Sequence, residues 1–316
     1  MSWLQALYET YEENSHLVGK VSADENQVPL LPIYHTTQQA HIEVVLNSEG
    51  EFLRAEVVPL SQARTIIPCT EQSASRSGSK PVNHPLCDKL QYVAGDFVKY
   101  GGEVTSGFAS RPEEPFELYK EALRCWAESE HSHPKVRAVY RYICKGRLIE
   151  DLVNRKILFV DEHNRLLAKW VGDDPPPIFG VLGSRRQGES FVRWVVEIPG
   201  ALEPTVWKDQ TLYQSWIRYM ESTVEKQGLC FVTGVETTLA TSHPAKLRHD
   251  ADSAKLISSN DKSGFTFRGR FLDSDQAAGV GLVVTQKAHT ALQWLIRRQG
   301  FRLGEMAVVC WTPKGE

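Results

Sequence analysis

Paired cysteines are missing from the 316-residue chain, although it contains six cysteines. No two of them stand in a C-x-x-C arrangement, and His84, three residues before Cys87, has no second pair to complete a zinc site. Scattered cysteines in a chain of this length are typical of reduced, mostly buried thiols in the cytoplasm. The pattern therefore argues against a disulfide framework, and we expect neither a metal nor another cofactor.

Long hydrophobic runs are missing as well, so no segment approaches the length of a membrane span. Residues 1–13 form an amphipathic pattern with Leu4, Leu7 and Tyr8 on one stripe, which predicts a helix. Because this segment has neither a basic start nor a long apolar core, we do not expect it to be a signal peptide. We expect a cytoplasmic protein that has no membrane partner.

The motifs of common enzyme classes are also missing. There is no G-x-S-x-G elbow and no H-E-x-x-H helix, and the glycines at 180–183 and 279–282 lack dinucleotide or P-loop spacing. A nuclease would need grouped carboxylates to hold metal ions. The nearest approach is Asp173–Asp174, and Asp273 with Asp275, which are more often solvated turns. We expect a protein without a catalytic step of its own.

A large excess of charge of one sign is lacking, since 36 Lys and Arg stand against 39 Asp and Glu, a net charge of −3. A uniformly basic surface for nucleic acid is thereby excluded. Cations do cluster locally within residues 135–156, where seven cations stand against two carboxylates. The cations are Lys135, Arg137, Arg141, Lys145, Arg147, Arg155 and Lys156. A helix after His133–Pro134 should turn these cations outward. Such segregation suits a subunit that contacts phosphates on one side and protein on another.

Strand and helix periods are mixed along the chain. His41–Leu46 and Glu51–Val58 alternate around a turn and predict a hairpin. Further strands are expected at Arg64–Pro68, Phe191–Ile198 and, as a second hairpin, Ile157–Val160 with Leu166–Val171. Helical spacing follows Pro115, His133 and Lys208, and Thr285 is expected to cap a closing helix.

This mixed order predicts an α+β fold, with antiparallel hairpins, a mixed sheet, packed helices and irregular long loops. The run Asp173-Asp-Pro-Pro-Pro177 is stiff and polar, which is typical of an exposed connector. It suggests a boundary at 173–177 between a first α+β region, 1–172, and a second, 178–316.

The first of two polar loops, Thr70–Lys80, consists mostly of Ser, Thr, Gln and Gly and carries two cations. Hydroxyl and amide groups can donate hydrogen bonds to phosphates or base edges, and glycine permits close backbone approach. Composition by itself favours a solvated surface loop. The candidate nucleic-acid contacts in this loop are Gln72, Ser73, Ser75, Arg76, Ser77 and Lys80.

The second loop, Ser258–Phe271, alternates phenylalanines with arginines near its end. In a strand the phenylalanines would face the core, and Arg268 and Arg270 would face the other way, toward solvent or phosphates. We take Asn260, Lys262, Arg268 and Arg270 as candidate nucleic-acid contacts. The cluster Lys135, Arg137, Arg141, Lys145 and Arg147 is a weaker candidate.

Seven stretches occur in a characteristic order over nearly the whole chain, at 31–44, 65–76, 84–92, 230–234, 243–248, 255–271 and 286–289. Together they resemble the large subunit of the CRISPR type I-C Cascade complex, a CRISPR-associated family of the Csd type. Members of that family are longer, so we expect this chain to correspond to their amino-terminal part. By this resemblance we expect a carboxy-terminal helical region to be the part of the family that the chain does not include.

The resemblance implies a non-catalytic subunit that recognises the protospacer-adjacent motif in duplex DNA, helps to open the duplex and recruits the helicase-nuclease. Its expected partners are double-stranded target DNA, the guide-RNA complex with the backbone and foot subunits, and the helicase-nuclease. Phage anti-CRISPR proteins are a further candidate. The guide RNA reads the target by base pairing, so the protein needs to read only a few base pairs.

Two alternatives stay open. The chain could be a scaffold whose loops dock on neighbouring Cascade subunits without reading the motif. It could also be a metal-dependent nuclease acting through Asp173–Asp174. No carboxylate cluster at ligand spacing favours the nuclease.

Overall fold

The computed structural model describes residues 2–20, 29–74, 76, 80–103, 111–223, 227–249, 252, 255–257 and 278–314. Their contacts divide the chain into two units, named here by their place in the sequence. The central unit is His35–Tyr219, and the terminal unit combines Met1–Tyr34 with Met220–Glu316. The contacts do not divide the chain at 173–177, because β-strand residues on either side of this run pair with each other.

Helices and strands are both present among the described residues, which confirms the predicted α+β fold. The helices are α1 (Trp3–Glu13), α2 (Glu71–Ala74), α3 (Leu90–Val93), α4 (Glu114–Glu128), α5 (Pro134–Ile143), α6 (Leu148–Asn154), α7 (Pro177–Leu182), α8 (Gln210–Ser222) and α9 (Leu282–Gln299). The strands are β1 (His35–Gln39), β2 (Ile42–Asn47), β3 (Phe52–Val57), β4 (Arg64–Pro68), β5 (Val192–Glu197), β6 (Gln227–Leu229), β7 (Glu236–Thr238), β8 (Phe301–Leu303) and β9 (Met306–Val308). No helix in this described part is long and apolar enough to cross a membrane.

The central unit contains a three-stranded sheet in the order β3–β2–β5. The predicted hairpin is confirmed, because β2 and β3 pair antiparallel around residues 47–51. Strand β5 lies parallel to β2, with Ile42 opposite Val192 and Asn47 opposite Glu197. A separate antiparallel pair joins β1 to β4, which places the end of β4 at the start of the first polar loop. The second predicted hairpin is reduced to a single bridge between Val160 and Leu166.

Large aromatic side chains fill the core of the central unit and fix the segment that follows the loop. Trp126, Trp194 and Tyr119 are fully buried. The Tyr119 hydroxyl and the Trp194 Nε1 both donate to the carbonyl of Leu86, at 2.7 and 2.9 Å. Because both lone pairs of one carbonyl are used, residue 86 is held firmly against the core.

In the terminal unit α1 packs along α9 around a core that contains Leu7, Leu292 and Leu295. Helix α9 begins at Leu282 with Gly281 as its N-cap, so the prediction that Thr285 caps it was wrong. Thr285 lies one turn inside the helix, where its side chain is buried. The hairpin β8–β9 follows α9, and Ala307 packs one of its faces against the core.

Candidate nucleic-acid interface

The first polar loop opens with a reciprocal pair of hydrogen bonds between Thr70 and Ser73. The Ser73 hydroxyl accepts from the Thr70 N–H at 2.9 Å, and the Thr70 hydroxyl accepts from the Ser73 N–H at 3.1 Å. Ser73 is 2% exposed, and its hydroxyl lies 3.1 Å from Nδ1 of His84. Ser73 therefore stabilises the start of the loop from inside the fold.

Arg76 closes the loop through a bidentate pair with Asp88, whose side chain has no exposed surface. Its Nη1 donates to Asp88 Oδ2 at 2.8 Å and its Nη2 to Oδ1 at 2.7 Å, while Nη1 also donates to the Val82 carbonyl. The guanidinium lies 5.1 Å from the centroid of the Tyr92 ring. Burial alone would lower the pKa of Arg76, but the carboxylate outweighs it and raises that pKa.

Asp88 is the centre of this anchor. Besides both Arg76 nitrogens, its oxygens accept from the backbone N–H of His84 at 2.7 Å and of Lys89 at 2.8 Å. Four donors satisfy a buried carboxylate, which is the condition under which such a charge is tolerated in a protein interior. The sequence predicted Arg76 as a nucleic-acid contact, and the structure uses its charge inside the fold.

The exposed candidates in the loop are Gln72, on α2, and Lys80, on the far side of the anchor. Ser75 and Ser77 lie outside the described residues. Of the four candidates of this loop that the structure describes, Ser73 and Arg76 make contacts inside the fold, and Gln72 and Lys80 are exposed. The amide of Gln72 is suited to contacts with the edges of nucleobases, and the ammonium of Lys80 is suited to contacts with phosphates.

The second loop cannot be placed in the same way, because Ser258–Phe271 falls outside the described residues. The predicted contacts Asn260, Lys262, Arg268 and Arg270 all belong to it and stay predictions.

Lys135 does not face outward, contrary to the expectation from the sequence. It is 1% exposed, and its Nζ donates to Asp209 Oδ2 at 2.6 Å and to the carbonyls of Glu203 and Thr205. The His133 side chain accepts from its N–H and caps α5. The helical stripe assigned Lys135 to the solvent face, but its long side chain reaches a carboxylate near the start of α8.

The other members of the weaker cluster lie at the surface and mostly meet acidic partners. Arg141 is 3.4 Å from Glu49 and Lys145 is 2.6 Å from Glu51, both carboxylates standing at the β2–β3 turn. Arg147 pairs with Asp151 at 2.7 Å, and Arg137 donates to the Ser132 hydroxyl at 3.1 Å. Because neighbouring acids offset much of the charge, this surface attracts phosphates less than the sequence count suggests.

Two cations that the sequence did not single out lie near the anchor, Lys89 and Arg185. Lys89 bridges to Phe191 in an antiparallel contact, and the Leu90 N–H donates to the Ser190 carbonyl, so residues 190–191 lie beside the residues that follow the loop. Burial, Arg76 and Arg185 lower the pKa of Lys89. The run Ser184-Arg-Arg is visible in the sequence as a basic turn, but no local pattern places it next to the loop.

No group of three or more His, Cys, Asp or Glu side chains in the described part of the chain stands at metal-binding distances. Asp173 and Asp174 are exposed.

The sequence as a whole matches a known protein family. No curated protein matches the chain. Residues 7–316 match the family described as CRISPR-associated protein (Cas_Csd1). The match covers almost the whole chain and confirms the resemblance to a Csd-type family. The chain therefore belongs to the Cas_Csd1 family of CRISPR-associated proteins.

Proposed function

We propose that the chain is a non-catalytic large subunit of a type I-C Cascade complex that recognises the protospacer-adjacent motif in duplex DNA. The observation that carries this proposal is the loop at 70–80, whose base is held by Arg76 and Asp88 while Gln72 and Lys80 are exposed. A side chain on an ordered segment, such as Gln72 on α2, loses less conformational entropy on binding than one on a free segment. Gln72 is suited to a base edge and Lys80 to a phosphate.

Family membership supplies the setting for this proposal. In an RNA-guided complex the guide selects the target by base pairing, so a protein needs to read only a short duplex motif. A small probe with local cations meets that need, and it is compatible with a net charge of −3. The proposed partners are target DNA, the guide-RNA complex with its backbone and foot subunits, and the helicase-nuclease. A motif-reading surface is also a target that phage anti-CRISPR proteins could block.

The experiment compares complexes that carry the chain with complexes that carry a version whose residues 70–80 are replaced by a Gly-Ser linker of equal length. Each complex is titrated with two duplexes that differ only in the motif. We expect the natural loop to bind the motif duplex more tightly and the linker version to bind both duplexes alike. Equal discrimination by both complexes would contradict the proposal.

A second candidate function, a docking scaffold, is favoured by the outer face of β8–β9. Phe301 pairs with Val308 and Leu303 with Met306, so all four side chains project from the same face. They are 67%, 44%, 62% and 53% exposed, in that order. An apolar patch of this kind is typical of a protein-interaction surface. Crosslinks from positions 72 and 80 to protein instead of DNA would favour the scaffold.

A further inference from the structure

His41 is held rigidly beside β5 by its own backbone and by its ring. Its N–H donates to the Phe191 carbonyl at 2.8 Å, and the Phe191 N–H donates to its Nδ1 at 2.9 Å. The residue is only 3% exposed. In the second hydrogen bond, the Phe191 N–H is therefore fixed by the sheet and the His41 Nδ1 is fixed by burial.

This arrangement determines which ring nitrogen carries the proton. A neutral imidazole has one N–H donor and one acceptor nitrogen. Since Nδ1 accepts from Phe191, the proton of the neutral ring is on Nε2. Burial, with Arg185 and Lys89 nearby, lowers the pKa of His41 to about 4, so the ring is neutral at physiological pH.

Arg185 then meets His41 donor to donor. Its Nη1 lies 3.2 Å from Nε2 of His41, and a guanidinium can only donate. If the ring proton were on Nδ1 instead, that N–H would face the N–H of Phe191, which is also a donor. Within the described residues Arg185 forms no ion pair with a carboxylate. Two N–H groups thus face each other across 3.2 Å without an acceptor, which is unfavourable unless an oxygen beside them accepts from both.

A third donor lies close by in Lys89. Its side chain is 34% exposed, and its Nζ lies 4.0 Å from the carboxylate of Glu189. The preceding residue, Asp88, has both oxygens occupied by Arg76 and backbone donors. The positive charge of Lys89 and Arg185 is therefore only partly compensated by carboxylates.

We propose that His41, Lys89 and Arg185 form a binding site for one backbone phosphate of nucleic acid, next to the anchored loop. A phosphodiester offers two unesterified oxygens, so it can accept from the imidazole N–H and the guanidinium while it pairs with the ammonium. This inference rests on the proposed function, because the same unit carries the loop that would contact the DNA. The site would fix the register of the duplex, and Gln72 would contact the base edges.

The test uses the full chain with inorganic phosphate as the probe, followed by NMR of the histidine ring signals. The His41 signal is identified by its loss in His41→Gln. We expect a saturable shift of this signal in the natural protein and in Arg186→Ala, whose guanidinium pairs with Glu103. We expect no shift in Arg185→Ala. An unshifted signal in the natural protein, an equal shift in Arg185→Ala, or an equal shift with acetate would overturn the inference.

A second arm separates this inference from the proposed function. In the assembled complex, Arg185→Ala should reduce the slope of log affinity for duplex DNA against log salt by about one, whereas Arg186→Ala should leave it unchanged. If Arg185→Ala still binds in a motif-dependent way and keeps the natural slope of log affinity against log salt, the phosphate site is overturned. The proposed function then still stands. A phosphate shift at His41 in a complex that shows no DNA binding supports the anion site and overturns the proposed function.

Discussion

Arg76 and Asp88 stand twelve positions apart in the sequence and meet through two hydrogen bonds of 2.7 and 2.8 Å, with the carboxylate wholly buried. This pair ties residue 76, within a polar stretch that resembles a solvated loop, to the interior of the fold. Because the charge of Arg76 is used inside the fold, the recognition that we propose falls to Gln72 and Lys80, which are exposed. The first prediction follows from the burial of Asp88.

Arg76→Ala should destabilise the protein by about 3–5 kcal/mol, because it leaves the buried charge of Asp88 without its partner. Urea unfolding followed by circular dichroism measures this loss. The double variant Arg76→Ala/Asp88→Asn should be less destabilised than Arg76→Ala alone, since the uncompensated charge is gone.

Arg54→Ala is the matched control, because Arg54 forms a 2.8 Å pair with Glu197 and both side chains are well exposed. An exposed pair of this kind contributes less than about 1 kcal/mol. If Arg76→Ala costs no more than Arg54→Ala, the loop is not anchored as described.

Lys135 gives a second prediction, which separates a structural cation from a binding one. Lys135→Met keeps the apolar stem but removes the ammonium that pairs with Asp209 at 2.6 Å, and the carboxylate keeps only its hydrogen bonds near the start of α8, so we expect a loss of about 3–5 kcal/mol in unfolding free energy. Arg141→Ala, at the exposed pair with Glu49, should cost less than about 1 kcal/mol. Both are measured by urea unfolding.

In binding assays on folded protein, Lys135→Met should leave the salt dependence of DNA affinity unchanged. A reduced slope with normal stability would show that the ammonium reaches phosphate, in conflict with its burial.

Acidification supplies the third prediction, through two histidines of the terminal unit. His243 Nδ1 lies 2.9 Å from the Thr285 hydroxyl, and the His289 ring lies beside the same hydroxyl. Burial lowers the pKa of each histidine from 6.5 to about 4. Between these values the unfolded chain binds more protons than the folded one, so stability is full above about pH 6.5 and falls as the pH drops toward 4.

Each histidine should remove up to about 3 kcal/mol of stability over that range. Melting temperature recorded against pH measures the loss, and His243→Gln should flatten the acid limb. An acid limb of unchanged steepness in His243→Gln would contradict the assignment of this dependence to the buried pair.

The hairpin β8–β9 gives the fourth prediction. Phe301→Ser/Leu303→Ser should change the unfolding free energy by less than about 1 kcal/mol, because both side chains are mostly exposed. If the face docks on a neighbouring subunit, the same variant should enter the complex less readily in size-exclusion assembly. Assembly at the natural level would argue against the scaffold function.

Features with local causes were predictable from the sequence. The β2–β3 hairpin follows from alternation around a turn, and α4 and α5 follow from a proline in the first turn with an apolar stripe behind it. The pairing of β2 with β5 joins residues about 150 positions apart, and no local pattern encodes it. That pairing is also what places both sides of 173–177 in one unit.

The candidate site likewise combines features with local causes, which the sequence predicts, and features that depend on residues distant in the sequence. The sequence identified the polar loop, but Asp88 is at no helical or strand spacing from Arg76, so the arginine was taken to be available for binding. Lys135 was misplaced because periodicity assigns the direction of a side chain at its base and says nothing about where a long side chain ends. His41 and Arg185 meet through tertiary contacts; the sequence shows Arg185 as part of a basic turn, but no local pattern places it beside His41.

The central claim is tested most directly by the affinity of the assembled complex for two duplexes that differ only in the motif, measured for Gln72→Ala and Lys80→Ala. Gln72→Ala should reduce the discrimination between the duplexes by about 1–3 kcal/mol. Lys80→Ala should weaken binding to both duplexes alike and reduce the salt slope by about one. Lys208→Ala, at an exposed cation elsewhere in the central unit, should change neither quantity. Unchanged discrimination and an unchanged slope in folded Gln72→Ala and Lys80→Ala would contradict the account.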